Sequence, residues 1–263
     1  MTRVKDILNY LESLAPAAMQ ESWDNVGLLW GSKDKEVKKI FVALDPFESV
    51  CREAAAQGAD LLVTHHPLIF QPAKSITDDT GVGRAILTLA SQGICAINAH
   101  TNLDCAPGGV NDTLAKAVGL TNIQVIDPSG VDSQGRPWGL LRMGQVEEMD
   151  LPDFLAQVKK ALGSKCLKFA DGGKKVKNVA VGGGSCGSEL YKAMAAGCDT
   201  FVTADIKYNQ FWDAKEAGLN LIDAGHFHTE NPVCAVLAEK LREAFPEAEV
   251  ILSQNHTDCA DFY

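Results

Sequence analysis

Apolar residues recur at helical spacing near the start of the chain: Val4, Ile7, Leu8, Leu11 and Leu14, stopped by Pro16. Beyond them, short and nearly continuous apolar runs alternate with helical stretches. KIFVAL (39–44) predicts a strand followed by a helix to Gln57, and DLLVTHH (60–66) a buried strand running into a loop. A helix carrying Ala85, Ile86, Leu89 and Ala90 then leads to strand ICAIN (94–98). Residues 121–138, rich in Asn, Asp, Pro, Ser and Gly, read as a boundary. The pattern resumes with GLLRMGQV (139–146), a helix over 151–162 and strands near 165–169 and 176–182. Buried strands alternating with helices predict an α/β protein with mostly parallel strands. The expected division is a first lobe over 1–126 and a second over 127–263.

An internal repeat adds to this. A shift of 139 residues lays KKIFVAL…AAAQGADLLVTHH over KNVAVGG…MAAGCDTFVTAD, so Gly58, Asp60, Val63 and Thr64 fall on Gly197, Asp199, Val202 and Thr203. SQGICAINAHTNLD resembles KEAGLNLIDAGHFHTE at a shift of 125. Duplication predicts two similar α/β lobes whose related strand ends face a shared cleft.

Charge and cysteine usage narrow the function classes. The 263 residues hold 34 acidic and 24 basic side chains, a net charge of −10 spread over both halves without a basic stripe. That argues against binding a nucleic-acid backbone or an anionic membrane surface. No run of about 18 apolar residues predicts a membrane span, and Lys5, Asp6, Asn9 and Glu12 interrupt what a signal peptide would need. Eight cysteines are scattered singly with no C-x-x-C pair, which predicts reduced thiols in the cytoplasm rather than a disulfide framework or a Cys zinc site.

Five of the six histidines fall in three segments, LVTHHPLIF, NAHTNLD and DAGHFHTE, each after a predicted strand, where α/β folds place ligand-binding loops. On an extended strand end His65 and His66 would point in opposite directions, which suits two metal ions better than one. His226 and Glu230 are four apart, so a helix starting there puts both on one face. Asp104 supplies a carboxylate that can bridge two cations. Together these residues predict a dinuclear metal site.

The combination of WDNVGLLWG (23–31), LVTHHPLIF, AHTNLDCAPGGVND (99–112), TADIKY and DAGHFHTE closely resembles the Nif-three-like family (the YbgI-like proteins), often named type-two GTP cyclohydrolase I homologues. The resemblance spans nearly the whole chain. It implies a pair of divalent metals (zinc, manganese, iron or nickel) on His65, His66, Asp104, His226 and Glu230, and a toroidal homohexamer. It also implies a small-molecule substrate, GTP, whose guanine ring a metal-activated hydroxide would open at C8, releasing formate on the way to dihydroneopterin triphosphate. Asp205, His100 or Asp45 would carry the proton; Asp205 could equally cap the helix after it. The competing reading is a non-enzymatic metal-binding, protein-interaction or regulatory ring protein.

Four features stand apart. GGGSCG (182–187) matches G-x-G-x-x-G and reads as a tight strand-to-helix turn or a set of amides for a phosphate. WDNVG (23–27) sets an indole, a carboxylate and an amide before a tight turn, and reads either as part of the site or as a buried Trp23 with Asp24 and Asn25 capping. Asn209 stands where many relatives carry His. His228, two residues past His226, reads as supporting a ligand or facing substrate.

Overall fold

The computed structural model describes residues 1–261 and 263. Its helices in chain order are α1 (Val4–Leu14), α2 (Glu48–Ala56), α3 (Gly81–Ser91), α4 (Thr101–Cys105), α5 (Val110–Ala117), α6 (Leu151–Leu162), α7 (Leu190–Ala195), α8 (Tyr208–Ala217), α9 (His226–Glu230) and α10 (Pro232–Ala244). Its strands are β1 (Gly27–Trp30), β2 (Lys39–Ala43), β3 (Leu61–Thr64), β4 (Cys95–Asn98), β5 (Thr121–Ile126), β6 (Gly130–Val131) and β7 (Pro137–Trp138). They continue with β8 (Leu141–Met149), β9 (Lys168–Ala170), β10 (Val176–Val181), β11 (Thr200–Thr203), β12 (Asn220–Asp223) and β13 (Glu249–Leu252).

The chain forms two compact units, each discontinuous in sequence: residues 1–103 with 234–257, and residues 104–233 with 258–263. The boundary therefore does not fall at 126. Residues 121–126 are β5, paired antiparallel with β8, and the polar stretch after it folds into the β6–β7 hairpin. Asp132 closes that hairpin's turn by accepting from the backbone of Gln134 and Arg136. Asp, Ser and Gly are there for turn geometry rather than as a linker. The chain crosses between the units inside α4, inside α10 and again between Thr257 and Asp258, and the two crossings inside helices are marked by no polar linker.

In the first unit the sheet order is β1-β4-β3-β2-β13. The last four strands are parallel, and β1 runs antiparallel to β4. The residues of β3 and β4 are buried throughout, as strands covered on both faces must be. Phe41, Leu62 and Ala96 of the sheet form one core with Val50, Cys51 and Ala54 of α2 and Ala85, Ile86 and Leu89 of α3.

In the second unit the order is β5-β8-β10-β11-β12-β9. Only β10, β11 and β12 are parallel, so the sheet is more mixed than the sequence pattern suggested. Alternate residues serve alternate faces. Val179, Val181, Val202 and Ile222 pack with α5 and α6, while Ala180, Phe201 and Leu221 pack with Leu190 and Ala193 of α7 and Ala214 of α8. This is the period-2 alternation of a strand expressed as two cores.

The repeat has a structural counterpart. Asp60 Oδ2 accepts from the amides of Lys38 and Lys39 at 2.9 and 3.1 Å; Asp199 Oδ2 accepts from those of Lys177 and Asn178 at 3.1 and 2.7 Å. Each carboxylate satisfies amides at the mouth of the neighbouring strand, which fixes how the strands align. The registers agree residue for residue: Ile40 faces Leu61 and Leu61 faces Cys95, as Val179 faces Thr200 and Thr200 faces Asn220.

Candidate metal centre

In the first unit, β3 and β4 are adjacent and parallel, and the loops leaving their C-terminal ends carry His65, His66 and His100. The ring centroids stand 4.9 Å (His65–His66), 5.2 Å (His65–His100) and 5.4 Å (His66–His100) apart. One ligand nitrogen of each lies within 4.8 Å of the others, a group that could hold a metal ion. His65 and His66 do not diverge as on an extended strand. The strand ends at Thr64, whose hydroxyl donates to the His66 carbonyl at 2.7 Å, and the chain bends there.

Each of these imidazoles is gripped through Nδ1. His65 Nδ1 donates to the Ala99 carbonyl at 2.9 Å. His66 Nδ1 lies 2.6 Å from Asp45 Oδ1, and His100 Nδ1 lies 2.8 Å from Asp24 Oδ1. A carbonyl can only accept, so the His65 proton is on Nδ1 and, in the neutral ring, the lone pair is on Nε2. An ionised carboxylate selects the same tautomer. This is how metal-ligating histidines are oriented. Burial pushes the Asp24 carboxyl up, but bonds from His100 and Thr101 more than offset it and hold the group well below the usual carboxylate range. Burial acts likewise on Asp45, and bonds from His256 and His66 outweigh it.

In the second unit, α9 is one turn long, and its spacing brings His226 Nε2 to 3.0 Å from Glu230 Oε2. Behind the ring, His226 Nδ1 lies 2.7 Å from Asp205 Oδ2. With the Nδ1 proton directed to Asp205, a neutral His226 sets its Nε2 lone pair against a carboxylate oxygen. Two acceptors at that separation need a proton or a cation between them. The distance also suits two donors sharing one ion at about 2.0–2.2 Å. Glu230 and Asp104 are buried. The donor set therefore fits a divalent cation.

The surroundings explain several motif residues. A Cβ on Gly184 would stand 2.1 Å from Glu230 Oε1 and 3.1 Å from His226 Nε2, so only glycine lets the loop pass. The amides of Gly182, Gly183, Gly184 and Cys186 are all bonded within the protein, to Val202 O, Asn111 Oδ1, Thr229 Oγ1 and Thr203 Oγ1. GGGSCG is thus a turn built around a carboxylate, not a phosphate cradle. Asn111, of the GGVN stretch, also donates to the Asp104 and Leu140 carbonyls. The buried Arg142 donates to the carbonyls of Gly139, Cys105 and Ala106 and to Asp112 at 2.8 Å, fixing the turn just past Asp104.

Other expectations change. Trp23 is 59% exposed rather than buried, and its ring packs edge-on against Phe70 and His100. Asp24, beside it, accepts from the next amide, Asn25, and also binds His100 and the amide of Thr101 at the start of α4. His228 meets Asp258 at 3.2 Å, a carboxylate near the end of the chain. Asp205 does not cap α8, whose N-cap is Lys207. Sequence reasoning missed His256, whose Nε2 lies 2.8 Å from Asp45 Oδ2. It lies outside the three histidine segments, and nothing nearby in sequence marks it.

Two α/β units whose imidazoles are held through Nδ1 by carboxylates or a carbonyl, with His, Asp and Glu groups that could hold a metal ion, define the class of fold and candidate site. The chain belongs to the DUF34/NIF3 (NGG1p interacting factor 3) family, whose pattern matches residues 2–259. A protein of Clostridium perfringens named "GTP cyclohydrolase 1 type 2 homolog" is 38% identical over 263 residues, covering 99% of each chain. One of Streptomyces coelicolor with the same name is 36% identical, covering 92% of this chain and 87% of the relative. Among solved structures, a Bacillus cereus protein related to NIF3 superposes with a TM-score of 0.93 at 27% identity, covering 100% of this chain and 99% of the other. A hypothetical protein of Staphylococcus aureus superposes with a TM-score of 0.90 at 33% identity over 99% of each.

Proposed function

We propose that this protein is a divalent-metal-dependent hydrolase that opens the guanine ring of GTP, with His65, His66, Asp104, His226 and Glu230 holding two cations. The observation that carries the metal reading is the Asp205–His226–Glu230 array, in which the imidazole lone pair and the Glu230 carboxylate converge 3.0 Å apart. Five donor residues, two of them carboxylates able to bridge, suit a pair of ions better than one. Bound cations would lower the pKa of water towards neutrality and polarise the bond under attack. The chain's own residues do the rest. Asp24, Asp45 and Asp205 hold imidazoles in one tautomer, and His100, backed by Asp24, would move the proton. Asp205 is assigned to catalysis through His226 rather than by direct contact with substrate.

The choice of GTP as substrate draws on the name shared by the curated relatives. It is supported by the exposed rings of Trp23 and Phe70 beside His100, an aromatic surface on which a purine can stack. The likeness of the two units' strand registers supports descent from a duplicated βα module. The toroidal homohexamer and the cytoplasmic location belong to the same proposal and rest on the resemblance to the family alone. The family's description as an interacting factor favours a second reading, a non-enzymatic metal-binding protein that recruits partners. Elemental analysis followed by GTP turnover separates the two. About two ions per chain and formate release that chelation abolishes and metal restores support the hydrolase. Full metal loading with no formate from GTP supports the second reading.

A further inference from the structure

We infer that His256 is a positioning residue for the candidate metal centre: it holds the Asp45 carboxylate in the orientation in which Asp45 holds His66. The inference rests on the reading of His66 as a metal ligand.

Three observations within the first unit carry it. The two oxygens of Asp45 are divided between two imidazoles, Oδ1 to His66 Nδ1 at 2.6 Å and Oδ2 to His256 Nε2 at 2.8 Å. A carboxylate can turn about its terminal bond, and fixing Oδ2 fixes where Oδ1 points. Second, His256 is delivered by a segment pinned on two sides. Ser253 donates its amide to the Val42 carbonyl of β2, and its hydroxyl to Glu53 Oε2 of α2 at 2.6 Å. Gln254 N donates to Glu53 Oε1 at 3.0 Å, and His256 N lies 3.3 Å from Ser253 Oγ. Third, the imidazole is 9% exposed and meets the Phe47 ring edge-on at 6.2 Å. A ring buried to that degree with its nitrogen on Asp45 has little freedom to swing away.

Asp45 immediately follows the β2 run and its next residue, Leu44, while His66 leaves β3. The centre's support therefore includes a residue 211 positions from its contact. Outer partners of metal-ligating histidines typically contribute about 10- to 100-fold in metal affinity. A group that acts through such a partner has to show its effect in the same measurement.

The test uses the full-length protein, stripped by chelation and titrated with cobalt(II) alone, reading affinity and the visible ligand-field bands. His256→Ala should lower cobalt affinity about 10-fold and shift the bands. His256→Gln, whose amide can still donate to Asp45, should recover most of the affinity. In an Asp45→Asn background, His256→Ala should add less than about 2-fold, because its route to His66 is already cut. Should His256→Ala fail to fold, His256→Phe, which keeps the ring volume without a donor, is read in its place. Unchanged affinity and bands, or the full loss repeated on top of Asp45→Asn, overturns the inference. His66→Ala with undiminished cobalt would instead overturn the ligand reading beneath it.

Discussion

Asp205 places its Oδ2 2.7 Å from His226 Nδ1 from a backbone with φ of +52°, in the left-handed region. Asp and Asn enter that region at less cost than other side chains, yet a non-glycine residue there is uncommon. The strain sits at a residue that does not cap α8: the start of that helix is held by Lys207 N donating to Gln210 Oε1 at 2.8 Å. The conformation serves His226.

Asp205→Asn keeps the left-handed preference and removes the charge behind the imidazole. Divalent-metal affinity should fall about 10-fold, with the melting temperature of the metal-free protein unchanged. Calorimetric titration with manganese or zinc, paired with a thermal melt, checks both halves. An unaltered affinity would show that Asp205 merely lies beside His226.

Gly184→Ala should do the opposite kind of damage. The new methyl would overlap Glu230 Oε1, and an L-residue at φ +61° carries about 1–2 kcal/mol of strain in addition. Both metal content and the melting temperature should drop. A crystal structure of the variant with Glu230 unmoved would contradict the close-approach account of this glycine.

Arg142→Met removes a buried guanidinium that joins Asp112 to the Cys105 and Ala106 carbonyls just past Asp104 and to those of Gly139 and Leu141. Stripping buried acceptors of their donor should cost about 3 kcal/mol, read as a lowered midpoint in urea. Metal affinity should fall with it, because the Cys105–Ala106 carbonyls are what hold the chain just past Asp104.

Thiol labelling at pH 8 should mark Cys259 first, since it is exposed. Burial pushes the Cys51 thiol up to about 12, with Glu48 adding to it, and Cys198 to about 11. A raised pKa means less thiolate below it, about one part in 10⁴ for Cys51 at pH 8. Cys51 and Cys198 should therefore react only as the pH approaches 11–12 or the chain unfolds. Mass spectrometry of the native and denatured protein reads the order directly.

Trp23→Ala tests the aromatic surface. If a purine stacks on Trp23 and Phe70, affinity for GTP should fall by about 1–3 kcal/mol's worth of stacking, while affinity for inorganic triphosphate stays as it was. Equal losses for both ligands would place the base elsewhere.

The regular parts of this fold were plain in the sequence. The helix expected over 151–162 is α6, Leu151–Leu162, and the runs at 39–44, 60–66 and 94–98 hold β2, β3 and β4, because strands buried on both faces write continuous apolar text. His226 and Glu230 were readable as a pair because four residues make one helical turn. Asp24 and His256 were not, since each reaches its partner across 76 and 211 residues respectively, and only folding brings them there. The convergence of His65 and His66 was misjudged for a local reason. Which way two neighbours point depends on whether the strand has already ended, and Thr64 ends it.

The pairing of β13 with β2 has a consequence for the way the protein is made. β13, at Glu249–Leu252, is the strand that covers the open edge of β2, at Lys39–Ala43. At a translation rate of about 5–20 residues per second, that edge waits roughly 10–40 s for its neighbour to leave the ribosome. An uncovered apolar strand edge is a template for pairing with the wrong chain. The nascent first unit is thus most prone to aggregate while the second unit is being synthesised, and a stalled ribosome anywhere before residue 249 releases a product whose earliest-made sheet has never closed.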